Sequence, residues 1–313
     1  MATFALIMQT NGISQSNPVL DLLNTAAVAV GLVFLSLCVL TFALSPGAAT
    51  VNVARLNLCV CLLVAHLLFL LVQHFLHLIH PHKVLCQTLA GILHFAFLCC
   101  FMWMHLEGST LVLLVSRLRH IRAYSSQEAW WKYLHLIGYG VPLTVVGVSA
   151  AVMPDGYGSD QCWLREKNGF QWSFVGPVVF ILVCNVIFFT VIFIGFSSII
   201  SKANTDISKI KQMKILIMKT AVQFFILGCP WILGFFVKSS DILNILFLFL
   251  NSQQGTFLFL VHCVLNEGVR QQYRKWWLNL KQVAPHVCPE EMPITSHKVA
   301  PHVCPEEMPV VSH

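Results

Sequence analysis

The sequence predicts an all-α membrane protein: a bundle of seven transmembrane helices with its N-terminus outside, followed by an amphipathic interfacial helix. Three observations predict it. Of the 313 residues, 57% are hydrophobic and only 10% are charged, against about 25% charged in an ordinary soluble domain. Seven long apolar stretches run over residues 20–44, 51–76, 84–116, 131–153, 171–200, 213–238 and 242–265. Each meets the ~20 residues that a helix needs to cross a bilayer core. Lipid offers an open backbone no hydrogen-bond partners, so each stretch is read as a helix. Finally, Lys and Arg fall on one side of the seven. With the N-terminus outside, only Lys83, Arg165, Lys167 and Lys238 lie in outer segments, and the other fifteen lie in inner segments and the tail. The net charge of +6 is then a property of the inner surface. It suits the anionic leaflet of the lipid bilayer or an acidic cytosolic partner, and it is no argument for nucleic acid.

Residues 1–9 hold the apolar run MATFALIM, too short to span, and 10–19 form a polar Gly/Asn/Pro linker. Left in water, a hydrophobic piece on such a leash would be an unfavourable exposed patch. No secretory signal is visible at the start, and the abrupt beginning reads as that of a fragment or a cleavage product. The spans occupy 20–265. Pro46 and Gly47 mark the first inner turn, and His74, His77, His80 and His82 crowd the first outer one. The second inner loop, 117–130, is basic. The second outer loop carries PDGYG and then Cys162-Trp163. The third inner loop, about 201–212, contributes Lys209 and Lys211, with Lys214 entering the sixth span as part of a basic collar.

Residues 266–282 place Val269, Tyr273, Trp276, Trp277 and Leu280 at helical spacing, with Arg270, Arg274, Lys275 and Lys281 on the other side. That is the pattern of a helix lying along the inner leaflet. The tail, 283–313, repeats VAPHVCPEEMP with a period of 16 residues. It is Pro-rich and lacks apolar periodicity, so it is read as disordered.

Twelve cysteines sort by depth. Eight lie within spans as small packing residues, and Cys288 and Cys304 lie in the tail. Only Cys86 and Cys162 stand at outer ends or loops, where oxidation is favoured. They are the one sensible pair for a disulfide, the alternative being two free thiols.

Glu107 is the only acidic residue deep in a span. A carboxyl in lipid is costly and faces the bundle interior. It reads as a polar lock between inner helix ends, or else as a protonated carboxyl with a local hydrogen bond. Pro230 interrupts the sixth span between Gly228 and Gly234, beside Trp231. Proline removes a backbone hydrogen bond and kinks the helix, as a hinge or as a static bend. Asn251, Gln253, Gln254 and Gly255 put a polar strip on the seventh span. It either binds a ligand or satisfies neighbouring helices.

The spacing of His74, His77 and His80 admits a metal site and hence a membrane metal-hydrolase. No HExxH, GxSxG or paired acids accompany it, so no catalytic residue, metal or cofactor is assigned. A pore or transporter would need a charged ring or repeated spans, and neither appears.

The chain carries FALIM at 4–8, LNLCVCLL at 56–63, FMWMHLEG at 101–108, LIGYGVPLTVVGVSAA at 136–151, GFQWSFVGPV at 169–178, GCPWILG at 228–234 and QGTFLFLVHCVLN at 254–266. On these motifs it resembles the seven-span region of adhesion G-protein-coupled receptors (family B2), nearest their EGF-module subfamily. The DRY and NPxxY signatures of rhodopsin-like receptors are absent.

The resemblance implies a receptor, not an enzyme, in the plasma membrane. Its apolar N-terminal segment would fold into the bundle as a tethered agonist through Phe4, Leu6, Ile7 and Met8. Phe97, Trp163, Trp172, Trp231, Asn251 and Gln254 would line the pocket, with Trp231 as the toggle. Arg55, Glu107, Pro230 and Gly234 would form the switch and inner network. Arg117, Arg119, Lys209, Lys211 and Lys214 would face a heterotrimeric G protein on the cytosolic side. It also implies an extracellular adhesion fragment that these residues do not include.

Three positions depart from the family pattern. Ala2 stands where the family cuts before Ser or Thr, so Met1-Ala2 reads as a start replacing the scissile residues or as a variant that does not cleave. Arg55 replaces the usual His, making an Arg55–Glu107 ion pair the natural hypothesis. Pro230 replaces the usual Thr. A receptor for a diffusible ligand, with residues 1–9 a mere stub, is the alternative reading.

Overall fold

The computed structural model describes residues 18–44, 50–120, 127–200, 207–234 and 241–283. Helices dominate: α1 (Pro18–Ala43), α2 (Thr50–His74), α3 (Lys83–His120), α4 (Gln127–Val152), α5 (Trp172–Ile200), α6 (Ile207–Gly234), α7 (Asp241–Ser252), α8 (Gln254–Phe259) and α9 (Glu267–Val283). Helices α1 to α5 are each long and apolar enough to cross a membrane, and α7 with α8 make one more span across a 49° bend. The remaining apolar stretch is α6, whose first half carries Lys209, Lys211, Lys214 and Lys219. The fold is therefore the all-α membrane bundle that the hydropathy predicts. By compactness the chain divides into two units, Met1–Tyr273 and Arg274–His313; the bundle lies in the first.

Helix α3 is the hub, packing most extensively against α2 and α5. Its inward positions recur at helical spacing: Leu93, Phe97, Cys100, Met104, Glu107 and Leu111 are all buried. Trp103, fully buried, points to α4 instead. There Gly138 makes room for it, since a Cβ at 138 would stand 2.7 Å from the indole ring. The outward faces of α1, α4 and α5 carry large exposed apolar residues such as Leu22, Leu136 and Phe180. In water that would be a liability; in lipid it is the solvated surface.

Two corrections concern element boundaries. Hydropathy places Lys209 and Lys211 in a loop, but α6 already begins at Ile207 and both lie in its first turns. A helix end needs no hydropathy change once it leaves the bilayer, which is why the apolar run does not mark it. The last span is likewise not one helix. It breaks at Gln253, whose amide donates to the Ala27 carbonyl at 2.8 Å and so fastens the break to α1. Below α8, residues Leu260–Val264 form a π turn, with Leu265 N–H donating to Leu260 O at 2.9 Å.

The loop between α4 and α5 is tightly folded. Tyr157 pairs antiparallel with Leu164, Gly158 and Ser159 N–H both donate to Trp163 O at 3.0 Å, and Arg165 Nη2 donates to Gly158 O at 2.9 Å. Gly158 has φ +81° and its missing Cβ would meet Gln87 Cγ at 2.8 Å, so conformation and space both demand glycine.

Candidate functional site

Three layers stack down the bundle axis. The outermost is the loop just described. Cys162 is bonded to Cys86 at the top of α3 (S–S 2.09 Å), which holds the neighbouring Trp163 over the helix ends. Tyr157 lies beneath, its hydroxyl 3.0 Å from His94 Nδ1. Burial of the Tyr157 phenol pushes its pKa up to about 12.

The middle layer is aromatic. Trp163 meets Phe97 edge to face at 5.8 Å and Phe174 at 5.7 Å. Trp231 lies 5.0 Å from Phe101, 5.3 Å from Phe174 and 6.3 Å from Phe97. These are the offset and T-shaped geometries that ring quadrupoles prefer. Pro230 precedes Trp231 inside α6, so the turn in which proline leaves out a backbone hydrogen bond is the one that carries this ring. Below the rings, Phe97, Trp231, Asn251 and Gln254 share the lining of a cavity of about 10 Å3 with His66 and Leu62. That is room for about one water. Gln254 donates to Asn251 Oδ1 at 3.3 Å, and Asn251 donates to Phe247 O at 2.8 Å. His66 ties α2 to α7: Nδ1 is 2.8 Å from Leu62 O and Nε2 is 3.4 Å from Asn251 O.

The inner layer is polar. Arg55 Nε donates to Glu107 Oε1 at 2.6 Å with both side chains buried. Thr220 of α6 joins them, donating to Glu107 Oε1 at 3.3 Å while Arg55 Nη2 lies 3.3 Å from the Thr220 hydroxyl. Helices α2, α3 and α6 are thus clasped by one buried ion pair and one hydroxyl. Close by, Cys38 Sγ lies 3.8 Å from both Cys59 and Cys263, where α1, α2 and the π turn meet. Thr41 and Tyr273 share a hydrogen bond there as well.

Among the residues expected to line the pocket, Phe97, Trp163, Trp231, Asn251 and Gln254 are brought into these layers. Trp172 is not: it is 61% exposed, and Phe174 takes the inward position. A two-residue step on a helix turns the side chain by ~200°, and Phe174, Val178 and Ile181 are the buried stripe of α5. The sequence reading also missed Phe101, although it follows Phe97 by four residues and so shares its face. His66 was visible as an ionisable residue within a span. Thr220 carried no signal, since a threonine in a membrane helix says nothing until its partners are known.

Phe4, Leu6, Ile7 and Met8 lie outside the described residues, and the side chains of Arg117, Arg119, Lys209 and Lys211 are likewise outside them. Gly234 is the last residue of α6. Lys214 is described and exposed. His80 stands 3.8 Å from Asp160, both solvent-exposed. Among the described residues no three His, Cys, Asp or Glu side chains are arranged to hold a metal.

Comparison with known proteins gives the same frame. The family model described as the seven-transmembrane receptor of the secretin family matches residues 17–258. The chain is 39% identical over 280 residues to human adhesion G protein-coupled receptor E5, covering 88% of this chain and 32% of that protein. It is 38% identical over 280 residues to human adhesion G protein-coupled receptor E1, covering 88% and 31%. Against human adhesion G protein-coupled receptor E3 it is 38% identical over 282 residues, covering 88% and 42%. The chain therefore spans about a third of the length of the first two relatives.

Proposed function

The chain belongs to the secretin family of seven-transmembrane receptors, in its adhesion G-protein-coupled branch, and on that premise we propose that its own N-terminal segment is its agonist. This is a family of multi-pass membrane receptors, not of enzymes. In the proposed mechanism the N-terminus is extracellular and the C-terminus cytosolic in the plasma membrane. Phe4, Leu6, Ile7 and Met8 enter from the outer side, capped by Trp163, and press on the Phe97, Phe174 and Trp231 rings. The single observation that carries the reading is the alignment of three coupled layers. A loop tryptophan pinned by a disulfide touches rings that reach α6 beside Pro230, and α6 also holds Thr220 of the Arg55–Glu107 clasp.

Inserting apolar side chains among the rings displaces Trp231. The segment of α6 below Pro230 then pivots and withdraws Thr220 from the clasp. Arg117, Arg119, Lys209 and Lys211, at the inner ends of α3 and α6, meet the G protein, and Lys214 stands at the edge of that face, next to the lipid. The agonist acts by binding the open bundle better than the closed one. Attachment to the same chain gives it a high effective concentration, and burying each large apolar side chain contributes ~1.5–3 kcal/mol before ordering costs.

The test is basal signalling. Phe4→Ala with Met8→Ala, and deletion of residues 1–9, should each lower ligand-independent G-protein activation by tenfold or more at equal surface expression, as expected from ~1.4 kcal/mol or more of lost differential binding. Unchanged basal activity in both variants sinks the tethered agonist and favours a diffusible ligand.

A further inference from the structure

Between α5 and α6 a cleft of about 840 Å3 opens toward lipid. It is lined by Leu182, Val186, Phe189 and Phe193 on α5, and by Met218, Phe225 and the small Ala221 on α6. The polar lining is Thr190, whose hydroxyl donates to Val186 O at 3.0 Å and is therefore occupied. On the outer side the helices close: a Cβ on Gly228 would stand 3.2 Å from Leu182 Cδ2. Toward the inner side they do not, and Phe193 is 71% exposed there. The volume falls within the ~300–1,000 Å3 of ligand sites, but nothing in the lining recognises a polar ligand.

Beyond the lining, one turn before Ile217 and Met218 on α6, stands a charge. Lys214 precedes Ile217 and Met218 by three and four residues, so it lies on the same face of α6 one turn nearer the inner end. Its side chain is exposed, and among the described residues no carboxylate pairs with it. We propose that this cleft is a binding site for an anionic lipid of the inner leaflet, with an acyl chain between α5 and α6 and its phosphate on Lys214. An acyl chain leaves one hydrocarbon environment for another, so the apolar walls supply shape and little driving force. Selection then falls on the headgroup, for which a lysine at the membrane surface is the complement. The cleft wall on α6 is the stretch between Lys214 and Pro230, so occupancy bears on the same half-helix that the proposed activation moves.

The inner-leaflet placement of Lys214 rests on the orientation proposed above. Lipid binding in symmetric nanodiscs depends neither on that orientation nor on signalling, so failure here leaves the receptor mechanism untouched, and the converse holds. The probe is a phosphatidylserine carrying a photoreactive diazirine on one acyl chain, with the labelled peptides mapped by mass spectrometry against the matching phosphatidylcholine probe. Phosphatidylserine should label residues 182–193 and 217–225 above the other lipid-facing helices. Lys214→Gln should cut that labelling about five-fold, the worth of one cation near an anionic surface, and Lys214→Arg should keep it. Ala221→Phe, which puts a ring into the cleft, should remove it while thermal unfolding shows the bundle intact. Equal labelling by phosphatidylcholine overturns the proposal. So does labelling spread evenly over α1 and α4, or displacement by a sterol with no dependence on Lys214.

Discussion

Arg55 and Glu107 are the residues whose pairing has the largest energetic consequence. Two charges taken out of water gain little net stability by meeting, but removing one leaves the other buried and uncompensated. Glu107→Leu alone should therefore lower stability by about 3–5 kcal/mol, and Arg55→Leu alone by a similar amount. The double leucine variant should recover most of that loss. Thermal unfolding in detergent checks it, read by a thiol-reactive dye, because Cys38, Cys59, Cys61, Cys99, Cys100 and Cys263 are all buried until the bundle opens. If the pair also holds the inactive state, exchanging the charges as Arg55→Glu with Glu107→Arg should restore signalling that either change alone disturbs. No rescue would refute the pair as a functional unit. At this scale the sequence was informative about Glu107, since one carboxyl deep in a span must find a partner. It named Arg55 only through the unusual residue at that position, and it was silent on Thr220.

At the scale of elements, the contact of α1 with α7 and α8 decides most. Gly31 and Gly255 face one another: a Cβ on Gly255 would stand 2.2 Å from Gly31 O, and one on Gly31 2.3 Å from Ser252 O. Small residues of this kind let membrane helices approach to backbone contact. Here they also bring the broken span within reach of the Gln253 bond to Ala27 O. Gly255→Ala must push α1 away, and overpacking of this kind costs about 1–3 kcal/mol. Reduced surface expression and a lower melting temperature are expected, with Gly147→Ala, which meets nothing within 4 Å, as the unaffected control. An equal melting temperature for the two would show that the close approach is not maintained in the membrane. The polar strip of the seventh span was legible in the sequence, but its division of labour was not. Gln253 fastens helices, while Gln254 and Asn251 line the cavity. Adjacent residues on a broken helix point to different neighbours, and periodicity does not report the break.

For the whole molecule, the disulfide closes a loop of 76 residues in sequence and fixes the second outer loop across the mouth of the bundle. Removing a bridge of this kind typically costs about 2–5 kcal/mol. Cys86→Ser with Cys162→Ser should lower the unfolding temperature. It should also weaken the response to residues 1–9, because Trp163 would lose its fixed place. Retained stability with lost basal signalling would assign the bridge to the site alone.

What the sequence determined by itself is what a single chain property can encode. Hydropathy over ~20-residue windows required helices, charge asymmetry supplied the orientation the proposal uses, and the redox compartment singled out Cys86 and Cys162. FALIM and GCPWILG carried the family. Tertiary structure decided which faces meet. It turned Trp172 outward and Phe174 inward, joined Thr220 to Arg55 and Glu107, and parted α5 from α6 above Lys214. Spans in lipid are apolar all round, so hydrophobicity does not say which side of a helix is the inside. Only packing of small residues, rings and paired polar groups settles that.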